Sequence, residues 1–211
     1  MKFLKLKDLA FLAAAALLPS HAVAGLILDG GFESASLAEY TTGPIGDGWS
    51  VLGGTIQILD AATGFGSVPH SGTQFADLDF GISVNQLSQT LTTTPGQFYT
   101  ISFWLSDDVG SNQFSVAFGG DTLTSFITTA LGDGNYQQMT FSNVEATSAS
   151  TALTFTGQWM FGGAGGGVGT VIDDVDVEAQ STVPEPASWM AAAAGLLALA
   201  TFCAVRRDAR T

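Results

Sequence analysis

Asp77 and Asp79, on either side of Leu78, are the first residues whose spacing suggests chemistry. Two positions apart on a strand, their carboxyls would share a face roughly 6–7 Å from each other, a separation that paired carboxylates use in glycoside hydrolysis. The simpler expectation is an exposed pair on an acidic surface, and Asp107–Asp108 read as turn residues that close a strand. His70 is followed by Ser71, but no Gly-x-Ser-x-Gly elbow surrounds the serine, so a nucleophilic triad is not indicated and His70 is expected in a loop. With only His21 besides it and one cysteine, Cys203, zinc is not expected.

Asp173 poses a sharper problem. In the run Val171-Ile172-Asp173-Asp174-Val175-Asp176-Val177 it shares a strand face with Val175 and Val177, so it points inward unless the strand bulges. An unpaired buried carboxylate is costly, and no Lys or Arg lies between Asp8 and Val205 to pair with it. Either Asp173 is solvated at a sheet rim, or a hard cation held by carboxylates and carbonyls compensates it. The second is the preferred expectation, with Asp174 taking the role if the register differs by one.

The aromatic residues offer a different function. Trp159, Met160 and Phe161 precede Gly162-Gly163-Ala164-Gly165-Gly166-Gly167-Val168-Gly169. No Lys-Ser or Lys-Thr follows, so this is a glycine-rich loop and not a phosphate cradle. Trp159 reads first as a core tryptophan; if exposed, it joins Trp104 and Tyr136 as a candidate platform for a sugar ring.

What must position these groups is a set of strands. Tyr99, Ile101, Phe103 and Leu105 alternate with polar residues, as do Phe114, Val116 and Phe118, and Leu153 and Phe155. Further strands are expected near 26–29, 55–59, 84–92, 122–127 and 136–141, with turns at Gly96, Gly110, Gly119-Gly120, Gly132 and Gly134. About ten short antiparallel strands with one-sided hydrophobicity predict an all-β fold, a two-sheet antiparallel sandwich over 25–180. No fixed repeat supports a β-helix.

The charges frame that domain. Lys2, Lys5 and Lys7 precede an apolar run from Leu9 to Leu18, and Ala22-Val23-Ala24 supplies the small residues of a cleavage site, so 1–24 is expected to be a signal peptide. After a linker at 181–186, Ala187–Val205 is an uncharged stretch long enough for a transmembrane helix, and 206–211 is a basic cytoplasmic tail. Of 19 Asp and Glu, only Asp8 and Asp208 lie outside 25–186, leaving a formal charge of −17 there with histidine neutral. That charge excludes nucleic acid as a partner. With Cys203 in the C-terminal run, the exported part has no disulfide and relies on packing or a metal.

The order Val183-Pro184-Glu185-Pro186, apolar segment, Arg206-Arg207 resembles the PEP-CTERM sorting signal of exported Gram-negative proteins, many of them from exopolysaccharide-forming bacteria. The resemblance implies processing by an exosortase near Pro184, Glu185 and Pro186, with the precursor in the inner membrane and the mature form at the outer surface, in the matrix or secreted. A second likeness covers about 26–178. Leu26-Ile27-Leu28-Asp29-Gly30-Gly31-Phe32-Glu33 is similar to the opening strand of jelly-roll, galactose-binding-like domains, with Asp29 in place of the usual Asn. Thr170–Val177 is similar to their closing strand, Trp49 to their early tryptophan, and Leu87–Leu91 with Pro95–Phe103 to their central strand pair. This resemblance implies a structural Ca²⁺ held by Glu33 and Asp173.

Together these features predict an exported, non-catalytic structural or adhesive protein of the cell surface or matrix, with weak binding to polysaccharide. The alternatives are a glycoside hydrolase or polysaccharide lyase acting on the same matrix, and a self-assembling scaffold.

Overall fold

In Phe98–Asp107 (β7), Tyr99, Ile101, Phe103 and Leu105 are buried in the main core while Thr100, Ser102 and Trp104 take the opposite face, the two-residue period of a strand covered unequally on its two sides. The same rule builds Gln113–Phe118 (β8), Ser150–Gln158 (β11) and Thr170–Ala179 (β12). The computed structural model describes residues 25–180 apart from 82, 109, 133 and 161–168. The expected signal peptide, linker, sorting motif, transmembrane segment and basic tail lie outside the described residues.

Two six-stranded antiparallel sheets face each other. The remaining strands are Ala38–Tyr40 (β1), Gly43–Ile45 (β2), Trp49–Gly53 (β3), Ile56–Asp60 (β4), Gln74–Asp77 (β5), Val84–Thr92 (β6), Asp121–Ile127 (β9) and Gln137–Glu145 (β10). The first sheet runs β1-β4-β5-β12-β7-β10 and the second β2-β3-β6-β11-β8-β9. The predicted all-β, two-sheet antiparallel sandwich is therefore the fold. β6 and β7, expected as a central pair, lie in different sheets; β6 pairs with β3 and β11, and the connection after Thr92 crosses the sandwich.

Aromatic rings fill the space between the sheets. Trp49 is fully buried, with Phe32 at 5.4 Å and Phe155 at 6.1 Å between ring centres, and Phe155 meets Phe103 edge-to-face at 5.0 Å. Each fully buried aromatic contributes about 1.5–3 kcal/mol through lost apolar surface. Trp49 Nε1 donates to Asp29 O at 2.9 Å, so its polar atom is satisfied as well.

Residues 26–33, expected to open the fold as a strand, form turns instead. Asp29 and Phe32 adopt positive φ of 52° and 60°, which a continuous strand does not allow. The segment is nevertheless tied down. Leu26 N donates to Val177 O, Val175 N donates to Gly30 O, and the Gln89 amide both accepts from Leu28 N and donates to Leu28 O. Gly30 is required there because any Cβ would run into Val175 O.

Candidate functional site

Three features of the sandwich bear on function. The first sits on the outer face of the first sheet. β12 carries a bulge between Asp173 and Asp176, with Asp174 at φ 46°. Ahead of that bulge Asp173 shares the outer face with Val171 and stands opposite Trp104 of β7. The inward orientation expected for Asp173 is thus corrected by the bulge, but the carboxylate is still completely buried, because the connection from β4 to β5 folds over it.

That connection also supplies hydrogen bonds. Asp173 Oδ2 accepts from His70 N at 2.8 Å and Ser71 N at 3.1 Å, while Oδ1 accepts from Asp174 N at 2.7 Å. Burial raises the Asp173 carboxyl to about 6, against the lowering effect of these amides. Backbone N–H groups therefore do part of the work that cationic side chains would do. Asp174 accepts from Ser71 Oγ at 2.7 Å and lies 2.6 Å from His70 Nδ1. His70, expected as a plain loop residue, stacks on Trp104 with ring centres 3.8 Å apart and planes 16° from parallel; Tyr136 meets it edge-on at 5.4 Å. Tyr136 donates its hydroxyl to Val68 O at 2.9 Å. One face of Trp104 is thus covered by His70.

Glu33 closes the same region. It accepts from Thr73 N, Thr73 Oγ1 and Gln74 N at 2.6–2.9 Å. Burial pushes its carboxyl up, but the Thr73 hydroxyl and the two amides outweigh this and leave it below the usual value. A Cβ added to Gly31 would lie 3.6 Å from Asp174 Oδ1, 3.8 Å from Asp173 Oδ1 and 3.8 Å from Glu33 Cγ. The structure thus brings Glu33, Asp173 and Asp174 around one glycine. The all-oxygen donor set suits a hard cation; among the described residues no three His, Cys, Asp or Glu side chains are arranged to hold one ion as they stand.

The second feature overturns an expectation. Asp77 and Asp79 are not an exposed pair; each is only 2% exposed, at the end of the sandwich where β5 ends and β12 begins. Asp79 N donates to Asp77 Oδ1 at 2.9 Å, and Thr170 N donates to Asp79 Oδ2 at 2.7 Å. Asp107, expected in a turn, is the buried last residue of β7; it accepts from Gly110 N, Asn112 Nδ2, Thr128 Oγ1 and Thr170 Oγ1. Burial, aided by the Asp107 charge, pushes Asp77 up to about 8 and Asp79 up to about 7. Sequence spacing could not show these three meeting. The available signal was Gly157 in the middle of a strand pattern, which marks a close approach; a Cβ there would sit 2.5 Å from Asp79 Oδ1.

The third feature is the outer face of the second sheet. Leu87, Leu153, Phe155, Phe114 and Val116 turn inward, which leaves Ser88 and Thr90 of β6, Thr154 and Thr156 of β11, and Ser115 and Ala117 of β8 outward. Thr154 stands opposite both Ser88 and Ala117, and its Oγ1 is 3.0 Å from Ser88 Oγ. Ser50 of β3 and Ser125 of β9 extend the same surface. Five strands from β3 to β9 span roughly 19 Å, and their one ionisable residue is Asp121, exposed at the start of the edge strand β9. Trp159 lies half-buried just past β11, on the second sheet, whereas Trp104 and Tyr136 belong to the first-sheet side.

No family model and no curated protein matches this chain. Solved structures do. The carbohydrate-binding module TmCBM61, in complex with β-1,4-galactotriose, superposes with a TM-score of 0.51 at 18% identity, over 74% of this chain and 99% of that one. A family 35 carbohydrate binding module from Clostridium thermocellum gives a TM-score of 0.46 at 10% identity, over 68% of this chain and 98% of that one. A GH26-CBM35 β-(1,4)-mannanase of Podospora anserina gives 0.46 at 12% identity; 72% of this chain covers only 29% of the enzyme. The likeness to TmCBM61 establishes a shared sandwich fold.

Proposed function

We propose that this chain is an exported, non-catalytic structural or adhesive protein of the cell surface or exopolysaccharide matrix, holding a neutral glycan weakly on the outer face of its second sheet. One observation carries the reading. A region with 17 carboxylates and no Lys or Arg leaves one broad sheet face bearing hydroxyl, amide and aliphatic groups, with Asp121 of the edge strand β9 the one ionisable residue of β3, β6, β11, β8 and β9. Such groups both donate and accept, as sugar hydroxyls do. Each hydrogen bond exchanges with one to water and is worth only about 0.5–1.5 kcal/mol, which suits weak, repeated attachment. The sandwich fold shared with a galactotriose-bound module is consistent with this role.

A hydrolase would need its paired carboxylates open to substrate, and Asp77 and Asp79 are buried. Trp104 and Tyr136 serve in this reading as the frame around His70, and Trp159 remains the candidate sugar-stacking ring. Ca²⁺ belongs to the same proposal: Glu33 and Asp173, with Asp174 as the alternative, would hold it and so fasten residues 30–33 to β12. Sorting through Pro184-Glu185-Pro186 and Arg206-Arg207 by an exosortase would deliver the protein.

Affinity electrophoresis in gels containing neutral or anionic polysaccharide tests the central claim. Retardation by a neutral polymer is expected, and it should vanish when Thr154→Glu and Ser115→Glu place carboxylates on the face. Unchanged retardation in that double variant removes the face from the site, and a loss with Trp159→Ala alone would relocate the site to that ring. Self-association without any sugar would favour the scaffold. Chelation should lower the melting temperature; no change ends the calcium proposal and leaves the glycan reading intact. Replacing Pro184-Glu185-Pro186 by alanines should block processing.

A further inference from the structure

We propose that Asp79, together with Asp77, is a proton-operated clasp that fastens the start of β12 to the end of the sandwich. The geometry begins with an orphaned atom. Asp79 Oδ1 is buried without a hydrogen-bond partner, although Asp79 Oδ2 takes the amide of Thr170. A carboxylate in that position would carry charge on an oxygen that no donor reaches; a neutral carboxyl would not.

The surroundings offer no other compensation. Asp107 faces the cluster from β7 and already accepts from four donors, sharing Thr170 with Asp79. Asp77 faces it from β5. β11 contributes Gly157, β6 contributes Asn85, whose amide holds Leu78 O and Phe80 O, and the residues before β8 and after β9 contribute Asn112 and Thr128. Half-buried Asp108 adjoins Asp107, and Asp133, outside the described residues, belongs to the connection whose Leu131 N donates to Asp107 O. Residues 161–168 contain no ionisable side chain, and no Lys or Arg exists between Asp8 and Val205. Every titratable neighbour is an acid.

Deprotonation therefore places a second charge beside Asp107 with nothing to offset it. Gly157 and Gly169 leave no room to rearrange in place: a Cβ at either would lie 2.5 Å from Asp79. Relief comes when Asp79 turns out to solvent, which frees Thr170 N at the start of β12 and the residues just after β5, where Phe80 is partly exposed. Burial, which raises both carboxyls towards neutrality at physiological pH, points the same way.

The sign follows from linkage. A buried acid whose folded value is raised binds its proton more tightly in the folded state, so stability is full at acid pH and declines as pH rises from the unfolded value near 4 through the folded values near 7 and 8. Each retained proton lowers the folding equilibrium constant by about tenfold per pH unit across that window. Urea unfolding of the purified full-length chain between pH 5 and 9, with chelator present throughout, should give a midpoint that falls with pH. Asp79→Asn, which keeps shape and removes the proton, should make that slope clearly shallower, leaving the shares of Asp77 and Asp173. Carboxyl-carbon NMR titration of the unmutated chain reads the group directly and covers the case in which the variant fails to fold. A midpoint that is constant or rises with pH, a variant that keeps the full slope, or an Asp79 that titrates in the ordinary carboxylate range overturns the clasp.

Discussion

The two sheets of this sandwich have opposite outer faces. On the first, Glu39, Asp77, Asp173, Asp176 and Glu178 belong to β1, β5 and β12, and a long connection covers the middle of the face, with His70 stacked on Trp104. On the second, β6, β11 and β8 turn out only hydroxyl, amide and methyl groups. The inner faces are alike, because both must bury apolar side chains. The difference shows that an acidic chain without cations can still concentrate its carboxylates where backbone amides reach them. One face is thereby committed to holding the fold together, and the other is left almost without charge.

The comparison breaks first at Asp173. Replacing it with alanine leaves the part-buried amides of His70, Ser71 and Asp174 without their acceptor. Unfolding in urea should show a loss of about 3 kcal/mol, since each stranded buried donor costs about 1–3 kcal/mol and some will reach water. Asp173→Asn keeps one acceptor oxygen and should lose less. A loss below about 1 kcal/mol for the alanine variant would mean that the covering connection is not held by this carboxylate.

How much of this was legible follows from range. Alternation in 98–105, 114–118, 153–156 and 171–177 exposed four strands, because side-chain period is a local property. β1, β2, β3 and β5 are three to five residues long and carry too few alternations to register. The acidic composition pointed to Asp173 because the missing cation is visible in any listing of residues. Its solution was not visible: the amides come from positions 102 and 103 residues away. The burial of Asp79 likewise depends on Thr170, 91 residues later, and on glycines of two distant segments. An aspartate at a strand end reads as solvated until the tertiary fold covers it.

A smaller effect is expected where β11 of the second sheet meets the end of the first and the contact is only tightly packed. Gly157→Ala sets a Cβ 2.5 Å from Asp79 Oδ1, 2.6 Å from Leu78 O and 2.7 Å from Leu78 Cβ. Overpacking of this kind costs about 1–3 kcal/mol, read as a lower urea midpoint; an unchanged midpoint would show that the end of the sandwich is already open. His70→Ala removes the stack on Trp104 and the contact with Asp174 but leaves the backbone amide of residue 70 on Asp173. About 1 kcal/mol should be lost, and a loss as large as that of Asp173→Ala would shift the weight of the cover from its amides to the imidazole.

The smallest effect on stability belongs to the neutral face, and it decides what that face is for. Thr154→Glu adds a carboxylate opposite Ser88 and Ala117, in the middle of the sheet but pointing outward. Surface changes of this type usually move stability by less than about 0.5 kcal/mol, so the melting curve should barely shift. Retention by a neutral polysaccharide should weaken in the same variant, because a glutamate on this face keeps its hydration and obstructs the hydroxyl rows of β6, β11 and β8. If stability falls by more than about 1 kcal/mol while retention is unchanged, the uncharged face is a requirement of folding and the contrast between the two sheets loses its functional meaning.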